Sequence, residues 1–143
     1  MVFLQLELES RESIQAFVSN FLSKFQRLDV LINNAGVYFP PRQLPHVDDQ
    51  GTELHFSVNH LGHFLLTYML TDTIISTPNS RVLVVSSELY KNAQLDLDDL
   101  FATSADPARG ADRLLYSNSK LANILHAREL HRRMKDRGVF VCA

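Results

Sequence analysis

Glycine is scarce in this 143-residue chain, and its five copies, at 36, 51, 62, 110 and 138, are scattered. No glycine-rich phosphate loop between a strand and a helix can be drawn from them. Cysteine is nearly absent. The single Cys142 excludes an internal disulfide framework and fits a reducing compartment; in the apolar run "VFVCA" it reads as a core residue. Neither sign of charge dominates. With 14 basic against 16 acidic residues, the chain has no electrostatic footprint for nucleic acid or an anionic membrane, which leaves small uncharged or anionic partners. No stretch approaches the roughly 18 consecutive apolar residues of a membrane-spanning helix, and "MVFLQLELES" lacks the basic start and long apolar centre of a signal peptide. As given, the chain reads as soluble.

What is present suffices for a core, since 45% of the residues are hydrophobic and the length fits one domain. "FLQLEL" alternates apolar and polar residues, predicting a strand. Ser10 then offers an N-cap to a helix in which Ile14, Phe17, Phe21, Phe25 and Leu28 recur at threes and fours. "DVLINNAG" holds a short apolar strand, Val30 to Ile32, apolar on both faces as in a buried parallel sheet. After the loop "YFPPRQLP", Leu54, Val58, Leu61, Leu65 and Met69 mark a helix from Thr52 to about Ile75. "RVLVVSS" is a second buried strand ending in polar residues. A long polar loop containing "LDLDDLF" leads to a helix from about Arg113 to Arg137, with the stripe Leu121, Ile124, Ala127, Leu130 and Met134, a basic end and Gly138 as its cap. "VFVCA" starts the last strand.

Strands alternating with longer helices predict an α/β fold: a parallel sheet with helices on its faces, joined by right-handed crossovers. Ligands bind such sheets at the carboxyl ends of the strands. There stand Asn33, Asn34, Ala35 and Gly36 after one strand and Ser86 and Ser87 after another. The helix before the last strand contains "LLYSNSKLAN", which puts Tyr116 and Lys120 four positions apart and so on one face. A free phenol, with a pKa of about 10, is a poor base at neutral pH. A neighbouring ammonium favours the phenolate and brings its titration toward working pH. The pair reads as a tyrosine acid/base, although so short a pattern also arises by chance as a solvated pair. His60, His63, His126 and His131 have no thiol or carboxylate at zinc-like spacing and read as packing or solvated residues.

Five stretches in order, "LELES", "INNAG", "VNHLGHF", "RVLVVSS" and "YSNSKLAN", resemble the short-chain dehydrogenase/reductase family over nearly the whole chain. "NHLGHF" and "SKLANILHARELHRR" are most similar to the branch of retinol dehydrogenases and WW-domain oxidoreductase-like proteins. The resemblance implies an oxidoreductase that transfers hydride between a nicotinamide dinucleotide, NADP favoured over NAD, and a lipophilic alcohol or carbonyl such as a retinoid. It implies that Tyr116 exchanges the proton at the substrate oxygen. Lys120 would lower the tyrosine pKa and hydrogen-bond the nicotinamide ribose. Ser87 would polarise the carbonyl, leaving Ser86 a satisfied strand-end hydroxyl. Asn59 matches the asparagine that holds a water in the family's proton relay. Asn33, Ala35 and Gly36 fall where the family's loop passes the adenosine side of the cofactor, with Gly36 permitting close approach and Asn33 tying neighbouring strand ends by its amide. Glu7 falls where many members carry an aspartate near the adenine.

In the family, the phosphate loop and the first two strands precede the stretch that matches Met1, and a substrate-covering segment follows the stretch that matches "VFVCA". The resemblance therefore implies a single partial domain over residues 1–143: a partial Rossmann-like, doubly wound sheet of three αβα layers, truncated at both ends. "FLQLEL" would then lack its neighbours, leaving an unpaired edge and an uncovered apolar face. Without the phosphate loop the chain alone is expected to be inactive. The competing reading is a non-catalytic fragment acting by protein–protein interaction. The polar stretch 88–112 is expected to form a surface excursion beside the substrate mouth. No nucleic-acid partner is expected, and no membrane segment in this chain. The intact protein is open to homo-oligomerisation and to an anchor outside this chain, so both a cytoplasmic and a membrane-associated location fit.

Overall fold

The computed structural model describes residues 1–39, 47–100 and 111–143, except the side chains of residues 111 and 112. Helix α1 (Arg11–Lys24) begins where the Ser10 hydroxyl accepts the Ser13 N–H at 3.1 Å, the N-cap expected of that serine. Its stripe buries Ile14 and Val18, with Phe17 and Phe21 packed beside them. Phe25 already stands outside the helix as its C-cap. Strand β1 (Val30–Asn33) follows.

The helix expected from Thr52 to Ile75 is four pieces: α2 (Leu54–Phe56), a π-helical turn Ser57–Gly62, α3 (His63–Met69) and α4 (Thr71–Ser76). A π turn admits an extra residue and so rotates the buried face. Ser57, Val58, Asn59 and Gly62 are all buried as a result. Next come β2 (Arg81–Val84), a 3-10 turn Glu88–Asn92, α5 (Ala111–Met134), a 3-10 turn Lys135–Arg137 and β3 (Phe140–Cys142). Gly138 adopts φ 73° after that turn, the left-handed cap expected there.

The three strands are parallel and lie in the order β1-β2-β3, with Val30 opposite Arg81 and Arg81 opposite Phe140. On one face Val82 and Val84 pack against Ile14, Val18, Leu66, Leu70, Ile74, Ala127 and Met134. The other face is open. Val30 and Ile32, expected to be buried, are 45% and 57% exposed; Phe140 is 63% exposed, and Cys142, expected in the core, is exposed as well. Of the three αβα layers the described residues form two. Right-handed crossovers that all step the same way put their helices on one face, and covering the second face takes a reversal of strand order that three strands in sequence do not contain.

"FLQLEL" forms no strand. Alternation specifies a strand only where a neighbour supplies hydrogen bonds, and among the described residues none lies beside it. Its last residue, Leu8, instead buries itself against Gly62.

Candidate active site at the carboxyl ends of β1 and β2

Asn33 ends β1 almost completely buried. Its backbone carbonyl accepts the Val85 N–H at 2.9 Å and so joins the two strand ends. The side-chain amide, expected to make that tie, donates to Thr67 Oγ1 of α3 at 2.8 Å, because the side chain points into the helix layer. Asn33 Oδ1 is buried without a partner among the described residues. Asn34, Ala35 and Gly36 are exposed at the strand end.

Gly36 is a close-approach glycine, though its near neighbours are protein atoms. A β-carbon there would stand 2.9 Å from Asn59 Oδ1 and 3.6 Å from Lys120 Nζ. Asn59, in the π turn and wholly buried, accepts the Val37 N–H at 2.7 Å and donates to the Val37 carbonyl at 3.1 Å. Its second amide hydrogen goes to Ser119 Oγ at 3.1 Å. Both amide hydrogens are thus taken by protein partners. The Asn59 side chain clasps residue 37. Its backbone carbonyl accepts from Asn123 Nδ2 at 3.0 Å.

Tyr116 and Lys120 share one face of α5 as their spacing predicts, with Nζ 5.5 Å from the phenol ring centroid. Lys120 is buried, and one of its three donors goes to the Val85 carbonyl at 3.3 Å. Burial lowers its pKa by penalising the charged form. Tyr116 is half-buried; its ring meets Tyr38 edge-on at 5.0 Å and His55 at 6.0 Å. Ser119 Oγ donates to the Tyr116 carbonyl at 2.7 Å, which links the Asn59 clasp to the tyrosine's own backbone.

The two serines differ in their hydrogen bonds. Ser86 Oγ donates to the Lys120 carbonyl at 2.8 Å and is spent. Ser87 Oγ only accepts, from Leu89 N–H at 3.3 Å, so that bond leaves its proton free for another acceptor. Ser87 opens on a cleft of about 650 Å³ also lined by Val85, Tyr90, Ile124 and Cys142. Tyr116 does not line this cleft. Tyr116, Lys120, Asn59 and Gly36 therefore form one cluster, with Ser87 on the neighbouring cleft. Glu7 lies outside both, exposed before α1 and accepting from Gln5.

Sequence reasoning missed Glu53, His55, Ser119 and Asn123, all buried around this cluster. Two of them left a signal. Asn123 is three positions from Lys120, hence on its face, and its amide also donates to the Val85 carbonyl, at 3.2 Å. Glu53 is an acidic residue at a helix start with His55 two places on, an arrangement suited to capping. His60, His63 and His126 serve the packing of the π turn and α3 on α5. His60 Nδ1 pairs with Asn123 Oδ1 at 3.0 Å, His63 Nδ1 with the Asn59 carbonyl at 3.2 Å, and the His126 ring lies tilted against Phe64 at 5.0 Å. Burial lowers the pKa of all three, that of His126 to about 4. Of the stretch 88–112, the described part is tied to α5 by Gln94, whose backbone N–H and C=O pair with the Asn118 amide at 2.8 and 3.0 Å, two residues from Tyr116. Residues 101–110, with the rest of the expected excursion, lie outside the described residues.

Residues 1–96 match the family model for short chain dehydrogenases. Human retinol dehydrogenase 14 is 44% identical over 142 residues, which is 99% of this chain and 40% of that protein. Human retinol dehydrogenase 13 is 39% identical over 139 residues, 96% of this chain and 40% of the relative. The chloroplastic short-chain dehydrogenase TIC 32 A of Brassica napus is 38% identical over 141 residues, 95% and 43% respectively. The chain thus spans about 40% of the length of these curated relatives. Among solved structures, an uncharacterised protein from Mycobacterium paratuberculosis superposes with a TM-score of 0.74 at 34% identity, covering 94% of this chain and 45% of that one. The NADPH-bound carbonyl reductase from chicken fatty liver reaches 0.70 at 19% identity, covering 97% and 54%, a likeness of fold alone. By these matches and by its strand-end architecture, the chain belongs to the short-chain dehydrogenase family.

Proposed function

We propose that this site serves hydride transfer between a nicotinamide dinucleotide and a lipophilic alcohol or carbonyl such as a retinoid, with Tyr116 as the proton donor or acceptor. The observation that carries the reading is the buried Lys120 ammonium 5.5 Å from the Tyr116 ring at the carboxyl end of the sheet. NADP is favoured over NAD, and a retinoid over other carbonyls, by the kinship with retinol dehydrogenases.

The residues present fit the nicotinamide half of such a cofactor. Lys120 keeps donors beyond the one given to Val85, and Gly36, at the end of the exposed run Asn34 to Gly36, lies beside it. The pyrophosphate finds no glycine-rich loop in this sequence. When bound, the cofactor supplies or takes the hydride. In the reductive direction Tyr116 gives its hydroxyl proton to the carbonyl oxygen, and the Lys120 ammonium stabilises the phenolate left behind. The Ser87 proton, on the neighbouring cleft, is available to a substrate oxygen only where the substrate reaches across from the Tyr116 cluster. Asn59 keeps Val37, and with it the strand-end loop, from moving during the transfer. None of the described helices is long and apolar enough to cross a membrane; a cytoplasmic or membrane-surface setting fits a lipophilic substrate.

The test is a graft of residues 1–143 into human retinol dehydrogenase 14 in place of the matching stretch, assayed for NADPH-dependent reduction of retinal. Tyr116→Phe should abolish turnover with the fold intact, and Lys120→Ala should lower both rate and cofactor affinity. Near-normal turnover by Tyr116→Phe would overturn the assignment.

A further inference from the structure

We propose that Glu53 and His55 are positioning residues for Tyr116, acting through the loop that follows β1; the proposal rests on the reading of Tyr116 as the proton carrier. Both side chains are nearly inaccessible, at 3% and 1% exposure. The Glu53 carboxylate accepts the backbone N–H groups of His55 and Phe56, each at 3.0 Å, which caps the start of α2. A serine or aspartate does as much with a shorter side chain. Glu53 does more: it also holds His55 Nδ1 at 2.5 Å.

The opposite ring nitrogen then acquires a defined role. His55 Nε2 faces the Phe39 backbone N–H at 3.1 Å, and an amide N–H can only donate, so Nε2 accepts and Nδ1 is the nitrogen that bears the proton given to Glu53. Each bond selects the tautomer that the other needs. Phe39 is thereby anchored to the helix start, as Val37 is anchored by Asn59 two residues earlier. Tyr38 lies between the two anchors. With its neighbours held on either side, the Tyr38 backbone is fixed in place, and its half-exposed ring stands edge-on to Tyr116, at 5.0 Å between centroids and 85° between planes.

The His55 ring itself makes a second edge contact with Tyr116, at 6.0 Å and 83°. Tyr116 is therefore braced by two rings, one belonging to the pair and the other aimed by it. Packing alone does not call for this arrangement. Burying a carboxylate and an imidazole is costly unless every bond is made, and an apolar residue of similar volume would fill the same space. Orientation is what an apolar replacement would not supply, and proton transfer is sensitive to displacements of about 1 Å.

The chain carries four tyrosines, so 3-fluorotyrosine labelling and 19F NMR resolve the effect, with each resonance assigned by a Tyr→Phe substitution. His55→Phe keeps the ring and removes both hydrogen bonds; His55→Gln retains an acceptor for Phe39. The expected result is a shift and broadening of the Tyr38 and Tyr116 resonances in His55→Phe, with Tyr68 and Tyr90 unmoved and substantial recovery in His55→Gln. Unmoved Tyr38 and Tyr116 resonances in folded His55→Phe would overturn the proposal. If His55→Phe merges all four resonances by unfolding, Glu53→Gln decides, since it leaves every ring in place: Tyr38 and Tyr116 must then shift while Tyr68 and Tyr90 do not, and unmoved Tyr38 and Tyr116 resonances overturn the proposal. This readout needs no turnover, so it fails or succeeds separately from the hydride-transfer reading.

Discussion

Gly62 lies in the π turn directly under the N-terminal segment, where an added β-carbon would stand 2.3 Å from the Leu8 carbonyl oxygen and 2.9 Å from Leu8 Cβ. Real β-carbons essentially never approach other atoms within 3.0 Å, so Gly62→Ala must move the Leu8 backbone by most of an ångström. No rotamer change can relieve the clash, because its main partner is a main-chain atom. The least costly escape lifts residues 1–8 off the helix and gives up the burial of Leu8, which is 7% exposed. Full burial of a leucine stabilises by about 1.5–3 kcal/mol. Alanine in a helix gains about 1 kcal/mol over glycine, which offsets part of that loss. The net expectation is destabilisation of about 0.5–2 kcal/mol, overlapping the range for overpacked sites. Urea denaturation reads the total, and hydrogen exchange at the Glu7 amide reads the local effect, since that N–H is held by Ser13 Oγ at 2.9 Å next to Leu8. Gly51→Ala is the control: it meets nothing within 4 Å and carries only the strain of φ 80°, so it should leave Glu7 exchange unchanged. A Gly62→Ala chain as stable as the parent, with Glu7 equally protected, would refute the reasoning.

Gly36→Ala should press on Asn59 Oδ1 at 2.9 Å and loosen the Val37 clasp, lowering stability by about 1–2 kcal/mol; an unchanged urea midpoint would show that the loop absorbs the methyl freely. Acid should weaken the packing of α3 on α5. His126 titrates near 4 in the folded chain, below its ordinary 6.5, so the unfolded chain takes up its proton first. Its contribution is fully present above pH 6.5 and is lost as the pH falls through 4. His126→Phe should flatten the pH dependence of the urea midpoint across that interval, and equal slopes in the two chains would contradict the assignment. Finally, the 143-residue chain alone should show no aldehyde-dependent oxidation of NADPH or NADH by nicotinamide absorbance, because positioning supplies about 7–11 kcal/mol in favourable cases and no phosphate loop is present to hold the cofactor. Clear substrate-dependent oxidation would reverse that expectation.

Much of the candidate site's geometry was legible in local pattern. A helix face repeats every three to four residues whatever surrounds it, so the spacing of Tyr116 and Lys120 already placed them together. Ser10 and Gly138 punctuate their helices through bonds and torsions that span only a few positions. The alternation of strands and helices implied a parallel sheet, and such a sheet directs the search for a candidate site to its carboxyl ends. Features requiring a distant partner were not legible. Period-2 alternation in "FLQLEL" cannot state whether a neighbouring strand exists, and the apolar character of Val30, Ile32 and Phe140 cannot state whether a helix covers them. The same limit applies to the clasp of Val37 by Asn59 and to the Glu53, His55 and Phe39 chain, which unite the end of β1 with the start of α2 and the middle of α5. Local sequence set which side chains were available, while the packing of α2 and α5 against the β1 loop decided which of them met. Hydrogen bonds and ring contacts act over a few ångströms, and only the tertiary fold brings residues so far apart in the chain within that range.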